Sequence, residues 1–307
     1  MNQKMGLKLL KGLVFLLLTG LGIFGNVSVF VHYMCNIGES TEKKSVQFIL
    51  IHVVFTNIIM LLSKGLPRTI ATLGLRNFLD DLNCMSVIYL QRVSRGLSIC
   101  TSSLLTVVQA STISPRASLW RRIKPRSAWR ILPLLLFFWI LNSFISMNLL
   151  NSIRNTSLLG SQFGGSEHYC YFLPGSQKIN SIFLTFMAMR DTLSQSVMAV
   201  SSGYMVFLLY KHHQHVLYFR NSKFLYKTPA EMKAAHSVLL LMLCFLFFYW
   251  TECLISLYLT ISSQSNSILV IIQEFLTLGY AILSPFVLIH RAGHLAACWL
   301  AHWRERH

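Results

Sequence analysis

The sequence predicts an all-α fold, a bundle of seven membrane-spanning helices in one domain covering residues 1–307. Three observations predict it. Of the 307 residues, 54% are hydrophobic and 12% are charged, whereas a soluble domain carries about 25% charged residues. Seven stretches are long enough to cross about 30 Å of hydrocarbon at 1.5 Å per residue and are almost free of Asp, Glu, Lys and Arg. The remaining Lys and Arg are spread unevenly over the loops. The same composition excludes intrinsic disorder, and seven Cys, sparse and odd in number, argue against a disulfide-rich scaffold. In a soluble protein the net charge of +17 would point to nucleic acid. In a membrane chain it marks a cytoplasmic face beside anionic lipid, so the expected partner is the bilayer and no nucleic acid.

The spans are expected at about 10–34, 45–74, 84–114, 129–152, 179–210, 234–261 and 268–290, with a tail over 291–307. The first follows Lys4, Lys8 and Lys11 like the start of a signal peptide. Its apolar run is 20 residues, however, and no A-x-A-like site ends it. The second carries Lys64 and Arg68, the third Arg92 and Arg95, the fifth Arg190 and Asp191, the sixth Glu252 and the seventh Glu274. Pro67 and Pro285 interrupt the second and seventh, where a missing N–H kinks a helix. A hinge near Pro285 and plain packing are both open readings.

Orientation follows from the loops. With the C-terminus inside, sixteen Lys and Arg fall in inner segments and six in outer ones, and five lie within spans. That asymmetry predicts an extracellular N-terminus and a cytoplasmic C-terminus. Asn155-Thr156-Ser157 is a glycosylation sequon in the loop placed outside. Cys84 and Cys170 both face that oxidising side, where a disulfide persists, and two unrelated thiols are the alternative. The densest basic run holds Arg116, Arg121, Arg122, Lys124, Arg126 and Arg130. It serves lipid charge and topology, and as a functional reading offers a basic contact for an acidic partner at the inner face. In the tail, Leu295, Cys298, Trp299, His302 and Trp303 share one helical face, which predicts a short amphipathic interfacial helix. Cys298 is a candidate for palmitoylation, with a plain thiol as alternative.

No HExxH, GxSxG, Walker or paired CxxC motif occurs, so no enzyme, metal or cofactor is expected. Gly20-Leu21-Gly22-Ile23-Phe24-Gly25 matches the dinucleotide pattern but sits mid-span, where small residues admit a neighbouring helix instead. His212-His213-Gln214-His215 reads as a wet helix end rather than a metal site. No repeat relates the two halves of the chain, which argues against a transporter or channel.

Longer motifs carry a family resemblance. Gly25-Asn26 resembles the pair found in the first helix of rhodopsin-like G-protein-coupled receptors, although no Asp-Arg-Tyr ends the third span and no Asn-Pro-x-x-Tyr ends the seventh. Lys64-Gly65-Leu66-Pro67-Arg68-Thr69, Tyr89-Leu90-Gln91-Arg92-Val93-Ser94-Arg95-Gly96-Leu97-Ser98, Gln109-Ala110-Ser111-Thr112-Ile113-Ser114-Pro115, Ser201-Ser202-Gly203-Tyr204-Met205-Val206 and Ser284-Pro285-Phe286 resemble the vomeronasal type-1 receptors over about residues 10–295. A bitter taste receptor shares the last of these but not the second- and third-span wording. The resemblance implies a rhodopsin-like bundle in the plasma membrane of vomeronasal sensory neurons. It implies a small volatile or steroid-like pheromone ligand, and activation of an inhibitory-type heterotrimeric G protein.

The charges inside the spans sit at similar depths. Arg92 and Arg95 lie about 12 and 16 Å below Cys84, Glu252 about 13 Å and Glu274 about 9 Å from the same end. Charges at membrane depth face inward and pair. Two overlapping readings stand: ion pairs that join the third, sixth and seventh spans, and a ligand pocket lined by Gln91, Arg92, Arg95, Arg190, Glu252 and Glu274. Five cations against three carboxylates leave room for an anionic or strongly accepting ligand.

An epitope placed before residue 1 is expected to stain on intact cells, and Asn155→Gln is expected to abolish a glycosidase-sensitive band shift. Staining that needs permeabilised cells contradicts the orientation.

Overall fold

The computed structural model describes residues 2–35, 41–72, 81–115, 118, 120, 128–147, 153–155, 170–172, 177–219, 230–261 and 267–292. Helix one is Asn2–Cys35. Helix two is Thr41–Met60, continues through a π turn at Leu61–Gly65 and finishes as Leu66–Thr72. Helix three is Asp81–Ile113. A 3-10 turn, Ala128–Arg130, precedes helix four, Leu132–Ser146. Helix five is Gln177–Phe219, helix six Ala230–Ile261 and helix seven Ser267–Ala292. A helix thus lies over each of the seven apolar runs of the sequence. Long apolar stretches cover Leu10–Cys35, Ser45–Ala71, Asn83–Ile113, Ser181–Lys211 and Ile271–Leu288, with shorter ones at Leu132–Ser146 and Met242–Glu252.

Two helix ends differ from the sequence reading. The fourth span was expected to reach residue 152, but its α-helix ends at Ser146 and the chain is already in strand β1, Ile153–Asn155. Strand β2, Cys170–Phe172, pairs with it antiparallel, Asn155 opposite Cys170. Three-residue strands carry no readable period, so an all-α reading passes over them. Helix five runs nine residues past 210, because the hydrocarbon ends there while neither Gly nor Pro stops the helix before Pro229. The tail from 293 lies outside the described residues.

Helix three is the centre of the bundle. Its apolar window is 78% buried, against 28% for helix five, and it touches helices two, four, five and six. Small residues line it because they let neighbouring backbones approach. Several of their hydroxyls are satisfied within the helix: Ser103 donates to the Cys100 carbonyl at 2.8 Å, Ser111 to Val108 at 2.8 Å and Ser114 to Ala110 at 2.6 Å. Beside it, Trp139 Nε1 donates to His52 Nε2 at 2.9 Å. His52 Nδ1 therefore carries the proton and faces Thr101 Oγ1 at 3.0 Å.

The polarity of the molecule is that of a protein in lipid. Phe24 and Ile140 are 74% and 70% exposed, while Asn26 and Asn57 are 0% exposed. Between these asparagines lies the joint of helices one, two and seven. Pro285 has no N–H, so the Ala281 carbonyl four residues earlier loses its helical partner. Asn26 Nδ2 donates to that carbonyl at 2.8 Å. Asn57 Nδ2 donates to Asn26 Oδ1 at 3.3 Å and to Ser284 Oγ at 2.9 Å. Gly25 makes the approach feasible, since a Cβ there would lie 3.0 Å from Pro285 Cγ. Of the glycines of the dinucleotide-like pattern, Gly22 and Gly25 thus serve packing, while a Cβ at Gly20 would meet open space. Gly22 sits against Leu61 and Ile282 in the same way.

Asn26→Ala strands the Ala281 carbonyl, and is expected to lower stability by about 1–3 kcal/mol, read as a lower melting temperature in lipid nanodiscs. Val27→Ala, on the lipid-facing side at 43% exposure, is expected to leave it unchanged.

Candidate functional site: an ionic belt across five helices

In hydrocarbon no water compensates a charge, so each charged side chain in a span must find a partner inside the bundle. Arg95 of helix three meets Glu252 of helix six at 2.6 Å. Thr277 of helix seven donates to the same Glu252 oxygen at 2.9 Å. The Arg95 guanidinium also lies 5.5 Å from the ring centre of Tyr249, one helical turn before Glu252, adding a cation–π contact. From there the Tyr249 hydroxyl donates to Asp191 Oδ2 of helix five at 3.0 Å. Arg190 donates to Asp191 Oδ1 through Nε at 2.8 Å and Nη2 at 2.6 Å, and through Nη1 to Asn142 Oδ1 of helix four at 2.6 Å. A continuous polar belt thus joins helices three to seven.

The belt needs Gly96. A Cβ at that position would collide with Asn142 Oδ1 and Arg190 Nη1, so the glycine after Arg95 is the gap through which helices four and five reach helix three. A second charged cluster closes the other side. Glu274 of helix seven pairs with Arg68 of helix two, and Lys11 of helix one stands 3.8 Å from it. Lys64, on the π turn, lies within electrostatic reach of both Glu252 and Glu274. Such π turns recur at functional sites.

The structure brings Arg95, Glu252, Arg190 and Asp191 together in one network. It does not bring Glu274 to helix three, as the overlapping depths suggested, but to helix two. Gln91 and Arg92 are half-buried on helix three outside the belt. Beneath the Arg95–Glu252 pair is a cavity of about 30 Å³ reached by Ser98, Tyr249, Thr277 and Tyr280. That is the size of one water. Of the expected pocket residues only Arg95 and Glu252 line it.

Sequence reasoning missed Asn142, Tyr249 and Thr277, which are uncharged, and Lys11, which lies at the edge of its span. A signal existed for Tyr249: it falls three residues before Glu252 and so on the same helical face. Two motifs noted separately meet at the opposite end of the bundle. Ser114 Oγ and Ser118 Oγ each lie 3.2 Å from Tyr204 Oη, and Trp120 stacks on Tyr204 at 5.0 Å. Arg116, Arg121, Arg122, Lys124 and Arg126 lie outside the described residues. Cys84 is disulfide-bonded, while Cys35, Cys100 and Cys244 are free. The side chains of Cys170 and Asn155 fall outside the described set, although their backbones are register partners.

The model of the family described as the vomeronasal organ pheromone receptor family matches residues 10–301. The chain is similar to vomeronasal type-1 receptor 4 of Homo sapiens, 30% identical over 88% of this chain and 90% of that one. It is similar to vomeronasal type-1 receptor 40 of Mus musculus, 32% identical over 91% and 89%. It is also similar to olfactory receptor class A-like protein 1 of Danio rerio, 30% identical over 91% and 88%. Among solved structures, squid rhodopsin superposes with a TM-score of 0.69 at 15% identity, covering 92% of this chain and 81% of that one. That likeness gives the fold, a rhodopsin-like seven-helix bundle.

Arg190→Gln leaves Asp191 buried without its guanidinium, and is expected to destabilise the protein by about 3–5 kcal/mol. Adding Asp191→Asn is expected to recover more than half of the loss in melting temperature in nanodiscs. No recovery in the double variant contradicts the pairing.

Proposed function

Because the chain belongs to the vomeronasal organ pheromone receptor family, we propose that it is a chemosensory receptor that takes a small volatile or steroid-like ligand into its helix bundle and activates an inhibitory-type heterotrimeric G protein. It is a multi-pass membrane receptor and not an enzyme. The observation that carries the mechanism is the tie between helix six and helix three. Glu252 and Tyr249 hold helix six to Arg95 and Asp191, above a cavity with room for about one water. A ligand seated between Arg95 and Glu252 parts these contacts, so binding there and movement of helix six are coupled. The ligand shifts the resting equilibrium by its difference in affinity for the two states and by nothing else. Taking about 1% active to about 99% requires about 5.5 kcal/mol of that difference.

In this reading Gln91, Arg92, Arg95, Arg190, Glu252 and Glu274 surround the ligand. A Cys84–Cys170 bridge pins the second outer loop over it, and the disulfide at Cys84 together with the β1–β2 register beside helix three supports that pairing. Asn155 carries a glycan outside. Arg116, Arg121, Arg122, Lys124 and Arg126 offer the acidic surface of the G protein a basic partner on the cytoplasmic side. Ser114, Ser118, Trp120 and Tyr204 link helix three to helix five near that run. The site of action is the plasma membrane of vomeronasal sensory neurons.

The test is a screen of volatile and steroid ligands in cells with confirmed surface expression, read as G-protein nucleotide exchange. The expected result is ligand-dependent exchange that pertussis toxin abolishes and that Glu252→Ala alters in potency by about tenfold or more. Exchange that resists the toxin overturns the inhibitory coupling. Potency unchanged by Glu252→Ala in a normally expressed receptor places the ligand elsewhere.

A further inference from the structure

Past helix three the chain turns an aromatic ring back into the bundle. Helix three ends at Ile113, before Pro115, and Ser118 N then donates to the Pro115 carbonyl at 3.0 Å. Trp120 N donates to Ser118 Oγ at 3.3 Å. The Trp120 ring stacks on Tyr204 of helix five, with centroids 5.0 Å apart and planes 11° apart. Both residues pack against Ala110 of helix three, Met205 of helix five and Leu239 of helix six, which are 0%, 0% and 8% exposed. Trp120 thus covers the place where helices three, five and six meet, at the end of the bundle assigned to the cytoplasm.

The cover is held weakly. Ser114 Oγ and Ser118 Oγ each lie 3.2 Å from Tyr204 Oη, beyond the range of about 2.5–3.0 Å usual for hydroxyl pairs. Trp120 is half-buried, unlike the three residues it packs against. Trp also has a second favourable place, the headgroup level of the bilayer, and Trp129, in the turn before helix four, is 79% exposed. Leaving the crevice therefore moves Trp120 from one favourable setting to another. Arg121 and Arg122 follow it directly, with Lys124 and Arg126 close behind. A partner with an acidic surface that draws this run draws the ring with it.

We propose that Trp120 is an autoinhibitory plug. It fills the crevice between helices three, five and six in the resting receptor. An acidic partner that engages the basic run pulls it out and bares Ala110, Met205 and Leu239. This rests on the coupling reading above and names the contact that holds the inner face shut. Tyr204 is the seat of the ring, and the hydroxyls of Ser114 and Ser118 hold that seat to the end of helix three.

The experiment is maleimide labelling of the purified receptor in neutral phosphatidylcholine nanodiscs. Leu239→Cys supplies the thiol, and its modification is read by peptide mass mapping. The acidic probe is polyglutamate. With Trp120 in place, labelling is expected to be slow, and Trp120→Ala is expected to speed it by about tenfold or more. Polyglutamate at low salt is expected to speed labelling by about threefold or more while Trp120 is present, to lose that effect at about 1 M salt, and to add nothing in Trp120→Ala. Met242→Cys, one turn further along helix six at a position 0% exposed, is expected to stay unlabelled throughout. If Leu239→Cys is not recovered folded, Met205→Cys on the facing wall takes its place with the same expectations. Equal labelling with and without Trp120 overturns the proposal, as does a rate that ignores polyglutamate. Labelling of Met242→Cys that rises in step also overturns it, because Trp120 then holds the whole bundle together. No G protein enters the assay, so failure here leaves the coupling proposal standing. A plug that opens to polyglutamate in a receptor that never drives exchange sinks the coupling alone.

Discussion

The ion pair between Arg95 and Glu252 organises the rest of the bundle. A charge in hydrocarbon is tolerated only when a counter-charge and further hydrogen bonds complete it. Arg95 has Glu252 and the face of Tyr249, and Glu252 has Arg95 and Thr277. Because these groups stand on different helices, satisfying the charges fixes the arrangement of helices three, six and seven. Tyr249 then carries the constraint to Asp191, and Arg190 carries it to Asn142. Helix six holds two of these contacts one turn apart. Movement of that helix must break both or neither, which is the behaviour of a two-state element rather than a compliant one.

The other half of the bundle obeys the same constraint with neutral groups. Pro285 frees a carbonyl, Asn26 answers it, and Asn57 ties Asn26 to Ser284. Ser103, Ser111 and Ser114 on helix three turn their hydroxyls back on their own helix and leave its surface narrow. The apolar side chains that a soluble protein would hide are instead on the outside, as Phe24 and Ile140 are. Packing between the helices rests on close approach at Gly22, Gly25 and Gly96, as expected where lipid competes equally for every large apolar side chain.

Much of this was legible in the sequence. Uncharged runs mark the seven helices because the bilayer imposes a length, and the belt's charged members stand out because such residues are rare in spans. Depth along a helix follows from counting residues, so the level that Arg95 and Glu252 share was readable. Direction around the helix does not follow from counting. Glu274 therefore meets Arg68 rather than helix three, and Arg92, three residues from Arg95, forms no ion pair among the described residues. Asn142 and Thr277 look like ordinary span residues until the helices are packed. The partner of Pro285 was within reach: four residues back is Ala281, whose carbonyl needed a donor, and Asn26 was already marked by the resemblance. The basic loop of Arg116 to Arg126 and the tail beyond Ala292 were readable as charge and face patterns alone.

The most direct measurement is a charge exchange across the central pair. Arg95→Glu and Glu252→Arg, made singly and together, are compared for folded receptor recovered in nanodiscs and for melting temperature. If the pair holds helix six to helix three, each single variant places two like charges in contact and loses most of the folded receptor, and the double variant recovers at least about half of it. Equal loss in the double variant and the singles, or single variants that fold as well as the natural chain, contradicts a bundle organised by this contact.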